Sequence, residues 1–145
     1  MTHEDAGHYA MKHPKNTQPD ERIAAAVKQN ISGGIISCAA AFKIADELNV
    51  TPAEVGTTID LLEARIGRCQ LGLYGYGPQR RIVTAAETVS EELEGDIRNL
   101  LTAGKLPCRS AWEIAGRHHI PKMNVSAACE TLGIKISTCQ LGSFK

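Results

Sequence analysis

Phe42-Lys43-Ile44-Ala45-Asp46-Glu47-Leu48-Asn49-Val50-Thr51-Pro52-Ala53-Glu54-Val55 is the stretch on which the fold turns. Ala41, Ile44, Ala45 and Leu48 recur at helical spacing and give one apolar face. Asn49 is a residue that tolerates the left-handed conformation, and Pro52 suits the first position of a new helix. Val55, Ile59 and Leu62 then continue an i, i+4, i+7 pattern, so a second helix follows a tight turn. Working outward toward the N-terminus, the first of these helices starts near Cys38. The apolar step Ile35-Ile36 before it predicts a short strand, and Gly33-Gly34 ends an amphipathic helix over Glu21–Asn30 that carries Ile23, Val27 and Ile31. Outward toward the C-terminus, Arg65 to Leu73 is a strand candidate.

The whole pattern occurs twice. Residues 21–75 align with 91–145 at a constant offset of 70 and without a gap. Cys38 falls on Cys108, Ala41 on Ala111, Phe42 on Trp112, Val55 on Val125 and Leu62 on Leu132. The closing run Cys69-Gln70-Leu71-Gly72 falls on Cys139-Gln140-Leu141-Gly142. Four successive identities inside an ungapped match identify an internal duplication. The predicted organisation is a polar N-terminal arm (1–20), a first module (21–75), a linker (76–90) and a second module (91–145). The arm, with prolines at 14 and 19, reads as partly disordered. His3, His8 and His13 stand five apart, which does not place them on one helical face. The linker holds Gly77-Pro78 and Arg80-Arg81.

Composition narrows the function classes. Sixteen basic residues balance sixteen acidic ones, and aromatics are 4% of the chain. The core must therefore be built from small aliphatic side chains, and no basic excess announces a polyanion partner. No apolar run approaches the length of a membrane span, which predicts no membrane partner. The start Met-Thr-His-Glu-Asp lacks the basic and apolar stretches of a signal peptide, which points to the cytoplasm.

Helix, short strand, helix, turn, helix, strand is also the order of a winged helix-turn-helix. Residues 42–55 resemble the bihelical core of that superfamily, here in an internally duplicated, tandem form. The resemblance implies a mainly α fold with small β wings (α+β), as two tandem winged-helix-like helix-turn-helix modules. The second copy departs from the pattern, with His118 and His119 at the positions of Leu48 and Asn49. The resemblance further implies a DNA-binding transcriptional regulator, in which base-reading side chains project from the start of the third helix and one turn along. Those positions are Thr51, Pro52, Ala53, Gly56, Thr57 and Asp60 in copy one. In copy two they are Pro121, Lys122, Met123, Ser126, Ala127 and Glu130. Copy one carries five basic and six acidic residues, and copy two seven and six. The expected nucleic-acid contacts therefore concentrate in copy two and the linker, at Arg80, Arg81, Arg109, Arg117, Lys122, Asn124, Ser126 and Lys135. The alternative is a protein-interaction adaptor, with a protein partner or a second copy of the chain as its target.

The cysteines leave two readings open. Cys38 and Cys69 are 31 residues apart, as are Cys108 and Cys139. Pairing of the strands around the second and third helices would bring each pair together, as redox dithiols or as ligands of zinc or an iron–sulfur cluster. The other reading is apolar packing, repeated only because the module was duplicated. Cys129 matches Ile59 and reads as a core filler. Neither a phosphate-binding loop, nor a nucleophile elbow, nor a His-Glu-x-x-His zinc motif occurs, so the sequence does not point to an enzyme.

Overall fold

The computed structural model describes residues 8–76 and 82–144 and divides into two compact units. Among the described residues it is mainly helical, with six α-helices and four strands of two or three residues.

In the first unit, α1 (Glu21–Asn30) begins at Asp20, whose carboxylate accepts hydrogen bonds from the amides of Arg22 and Ile23. It buries Ile23, Ala24 and Val27. Gly33 and Gly34 both take positive φ, which lets Ser32 and Ile35 bridge antiparallel and turn the chain into β1 (Ile35–Ser37). Ser37 caps α2 (Cys38–Leu48) by accepting from the Ala40 amide. Helix α2 ends at Asn49 in the left-handed conformation, and α3 (Pro52–Leu61) starts on a capping box between Thr51 and Glu54. Strand β2 (Arg65–Gly67) then runs parallel to β1, with Ile36 opposite Ile66 and Ser37 opposite Gly67.

The second unit repeats this order. It has α4 (Glu91–Asn99), β3 (Leu106–Pro107), α5 (Cys108–His118), α6 (Lys122–Leu132) and β4 (Ile136–Ser137). Leu106 stands opposite Ile136, the register of Ile36 and Ile66 shifted by 70. The pattern of buried and exposed positions over 31–50 is the same, residue for residue, over 101–120. His119 replaces Asn49 and still takes the left-handed turn, at φ 52° against 55°. His118, where copy one has Leu48, is held by Asp96, its Nε2 lying 2.7 Å from Oδ2.

The core of each unit lies between its helices. Val27, Ile36, Ala41, Val55 and Ile59 are fully buried in the first, and Ile97, Leu106, Ala111, Ile114 and Val125 in the second. Each larger aliphatic side chain removed from water in this way contributes about 1.5–3 kcal/mol.

Four features differ from the sequence reading. The strand candidate Arg65–Leu73 is a strand only over Arg65–Gly67, because Arg68 turns left-handed (φ 49°) and ends it. Thr138 does the same after β4. No antiparallel hairpin follows α3 or α6 among the described residues, and where the resemblance predicts a wing each unit has a single strand parallel to its partner. The compact units also do not end where the repeats end. The first unit takes in residues 140–144, and the second begins at Gln70. The closing segment of each repeat thus belongs to the unit formed by the other. Finally, the described part of the arm is packed. Tyr9–Lys12 is a 3-10 turn with Tyr9 buried, and Glu63 accepts from the amides of Tyr9 and Ala10. An acidic residue at the end of α3 supplies what a polar arm needs in order to dock. His3 lies outside the described residues.

Candidate interaction faces

The third helix of each module is where the resemblance places recognition, and in both units part of that helix is buried, at Gly56 and Asp60 in α3 and at Ser126 in α6, while Thr51, Ala53, Pro121 and Glu130 are exposed. In α3, Gly56 and Asp60 lie one turn apart on one face. The backbone of Leu141 lies so close to Gly56 that a Cβ there would sit 1.8 Å from the Leu141 carbonyl oxygen. Only glycine permits this approach. Leu141 itself is 2% exposed and, although it comes from the second repeat, is built into the first unit. Asp60 is 3% exposed, and one of its oxygens meets both the Lys12 ammonium at 3.2 Å and His13 Nε2 at 2.8 Å. Lys12 also donates to the Gly142 carbonyl at 3.1 Å. A carboxylate removed from water needs such partners, so the arm and the closing segment hold α3 together.

In α6 the described contacts come from Gly72, Val83 and Ala86. The Ala86 amide donates to the Ala127 carbonyl, and the Thr131 hydroxyl donates to the Ala86 carbonyl. A Cβ on Gly72 would meet Val83 at 2.8 Å and the Met123 sulfur at 3.4 Å. Ser126, at the position of Gly56, is 1% exposed, and its hydroxyl has no hydrogen-bond partner among the described residues.

The expected nucleic-acid residues are therefore placed unevenly. Ser126 is a correction, since a side chain that is 1% exposed cannot reach a base edge. Arg109, Arg117, Asn124 and Lys135 are exposed. Arg109 and Arg117 fall on one face of α5 with Glu113 between them, and Arg109 already pairs with Glu113 at 3.6 Å. Lys122 rests over the Trp112 ring, its Nζ 4.3 Å from the centroid. Arg80 and Arg81 lie outside the described residues.

Cys38 and Cys69 are both buried near the same end of the β1–β2 ladder, one residue past Ser37 and two past Gly67. Cys108 is buried and Cys139 half-buried at the corresponding places. None of the five cysteines is in a disulfide. Among the described residues, no three His, Cys, Asp or Glu side chains converge where they could hold a metal ion, so the zinc or iron–sulfur reading finds no support in this geometry. Cys129 is packed in the core, in keeping with its match to Ile59, and burial pushes its thiol up to about 11.

An open cleft of about 220 Å³ in the first unit is lined by Gln18, Asp20, Ile23, Glu54, Thr57 and Thr58. Both of its carboxylates are already engaged, Asp20 as the cap of α1 and Glu54 in the capping box of α3. No described helix is long and apolar enough to cross a membrane.

Sequence reasoning misses the Lys12–His13–Asp60 cluster. It places Asp60 facing outward, because helical periodicity cannot distinguish solvent from a docked arm. The one available signal is that Lys12 and His13 stand side by side in a segment otherwise unassigned. Compared with protein-family models, with curated proteins and with solved structures, the chain matches none.

Proposed function

We propose that the chain is a non-catalytic protein-interaction adaptor made of two tandem helix-turn-helix-like modules. In each module the third helix receives a polypeptide segment where a regulator's third helix receives a duplex. The observation that carries this reading is the burial of Gly56 and Asp60 beneath segments of the chain itself, with Ser126 buried at the position that matches Gly56. Three positions that would have to lie against base edges are closed to them, and one of the three is a carboxylate. The balanced charge of the chain supports the same reading, since duplex affinity rests on a surplus of phosphate-neutralising cations.

A second reading, duplex binding through Arg109, Arg117 and Lys122, draws on their exposed or half-exposed positions around α5 and the start of α6. Fluorescence-anisotropy titration of the full chain against duplex DNA at about 50 and 200 mM salt separates the two. The adaptor reading expects weak binding that Arg117→Ala and Lys122→Ala leave unchanged. Affinity that falls steeply with salt and is lost in those variants would overturn it. The reading also expects one protein to co-purify in fixed stoichiometry with the tagged chain.

A further inference from the structure

Cys38, Cys69, Cys108 and Cys139 stand out in the sequence, and the adaptor reading leaves them without a role. Each pair sits at the end of a parallel ladder. In the second unit Pro107 lies opposite Ser137, Cys108 is the next residue after Pro107, and Cys139 is the second after Ser137. Neighbouring strands run about 4.8 Å apart, and a disulfide joins residues whose Cα atoms lie within about 7 Å. Thr138, between Ser137 and Cys139, is left-handed at φ 51°. The chain therefore leaves its extended course there instead of carrying Cys139 straight on past the ladder. The first unit has the same register and the same turn, with Ser37 opposite Gly67 and Arg68 at φ 49°.

Packing alone does not account for these thiols. Cys129 is the cysteine that fills a core position, and the first copy has Ile59 in its place. The ladder-end cysteines, in contrast, face cysteine in the other copy at both places, although most aligned positions have diverged. Cys139 is also half-buried, which is a poor use of an apolar filler. Among the described residues no third His, Cys, Asp or Glu converges with either pair, so the chemistry open to the two sulfurs is a bond to each other. Access then separates the pairs. Cys38 and Cys69 are 5% and 4% exposed, whereas Cys108 is 6% exposed and Cys139 is open to solvent on one side.

We propose that Cys108 and Cys139 are a reversible redox dithiol, oxidised by small disulfides of the glutathione class. The Cys139 thiolate attacks one sulfur of the small disulfide. That S–S bond breaks, a bond to Cys139 Sγ forms, and the departing thiolate takes up the proton that Cys139 lost. Cys108 then gives up its proton and attacks Cys139 Sγ, and the second small thiol leaves with that proton. Two protein thiols are oxidised, and one disulfide is reduced to two thiols. The new bond ties the start of α5 to the chain just after β4 and closes a loop around α5 and α6. Cys38 and Cys69 have no solvent-open member to make the first attack, and they stay reduced while their unit is closed. This inference does not rest on the adaptor reading, and its readout is a covalent bond that needs no partner protein.

The test holds the folded full-length chain in mixtures of reduced and oxidised glutathione, without oxygen. Samples are quenched in acid, alkylated in urea and mapped by peptide mass spectrometry. The expected result is a loss of two hydrogen atoms per chain and a Cys108–Cys139 linkage that dithiothreitol reverses. Cys38, Cys69 and Cys129 should be recovered alkylated. Cys108→Ser should stop the reaction at a glutathione held on Cys139, and Cys139→Ser should abolish it. Should either variant fail to fold, the wild-type map decides by itself. Glutathione on Cys139 that never gives way to the internal bond would overturn the proposal. So would a folded chain that does not react, a Cys38–Cys69 linkage that forms first, or a Cys108–Cys139 linkage that forms only in urea.

Discussion

Residues 31–50 and 101–120 have diverged at most positions and still bury the same places, turn at the same residue and enter the same parallel ladder. The third helices that follow, Pro52–Leu61 and Lys122–Leu132, have drifted apart in how they are started and covered. Thr51 and Glu54 close a capping box on α3, but Pro121 offers α6 no side-chain cap. Gly56 accepts the backbone of Leu141, whereas Ser126 buries an unsatisfied hydroxyl. Asp60 is buried beneath Lys12 and His13, while Glu130 is exposed. Apolar positions tolerate exchange so long as volume and spacing persist, which is why the first stretch survived divergence. A surface that receives another segment has to match it in detail, and each copy has adjusted to a different cover.

The largest expected effect in this contrast comes from replacing the paired positions. Gly56→Ala puts a Cβ into the Leu141 backbone and should destabilise the first unit by about 3 kcal/mol. Ser126→Ala removes a buried orphan hydroxyl and should stabilise the second by about 1 kcal/mol. The only tryptophan, Trp112, lies in the second unit, so urea melts followed by fluorescence and by circular dichroism separate the two effects. The reverse pair of signs, or no difference between the sites, would break the comparison.

Cys129 and Ile59 occupy matching core positions, and burial raises the thiol pKa from 9.0 to about 11. A rise of that size reduces the thiolate present at pH 8 by about a hundredfold. Iodoacetamide should therefore modify the half-buried Cys139 first and Cys129 about a hundredfold more slowly than an ordinary thiol, as followed by peptide mass spectrometry. Equal rates at the two cysteines would show that the second core opens far more readily than its packing indicates.

A smaller effect is expected at the caps. Thr51→Ala should cost about 1 kcal/mol, read as a lower urea midpoint with an unchanged slope. The smallest concerns pH. Asp20 is held below its ordinary carboxyl value of 3.8, chiefly by the Ile23 amide. A depressed folded value means that its stabilising contribution is complete above 3.8 and is lost as pH falls through the folded value. Ser90 caps α4 by accepting from the Leu93 amide, and its hydroxyl does not titrate in this range. Acid should therefore speed amide exchange at Ile23 before Leu93, and Asp20→Asn should abolish that difference.

The duplication, the order of elements in each module and the left-handed turn at Asn49 follow from residue pattern alone. They depend on neighbours within a few positions: apolar spacing, a turn residue and a proline where a helix begins. That His118, a polar residue on an apolar face, needs a partner is legible in the same way, but that Asp96, 22 positions away on α4, supplies it is not. What covers α3 and α6 is a different kind of fact. Lys12, His13 and Leu141 lie 48, 47 and 85 positions from the residues they meet, and no local periodicity encodes such a distance. The same holds for the parallel sense of the ladders, which short apolar steps leave undecided. Tertiary structure alone settled that the closing segment of each repeat is built into the unit of the other. Two identical Cys-Gln-Leu-Gly runs carry no label saying which groove each will fill, and at Gly56 only a glycine admits the backbone of Leu141.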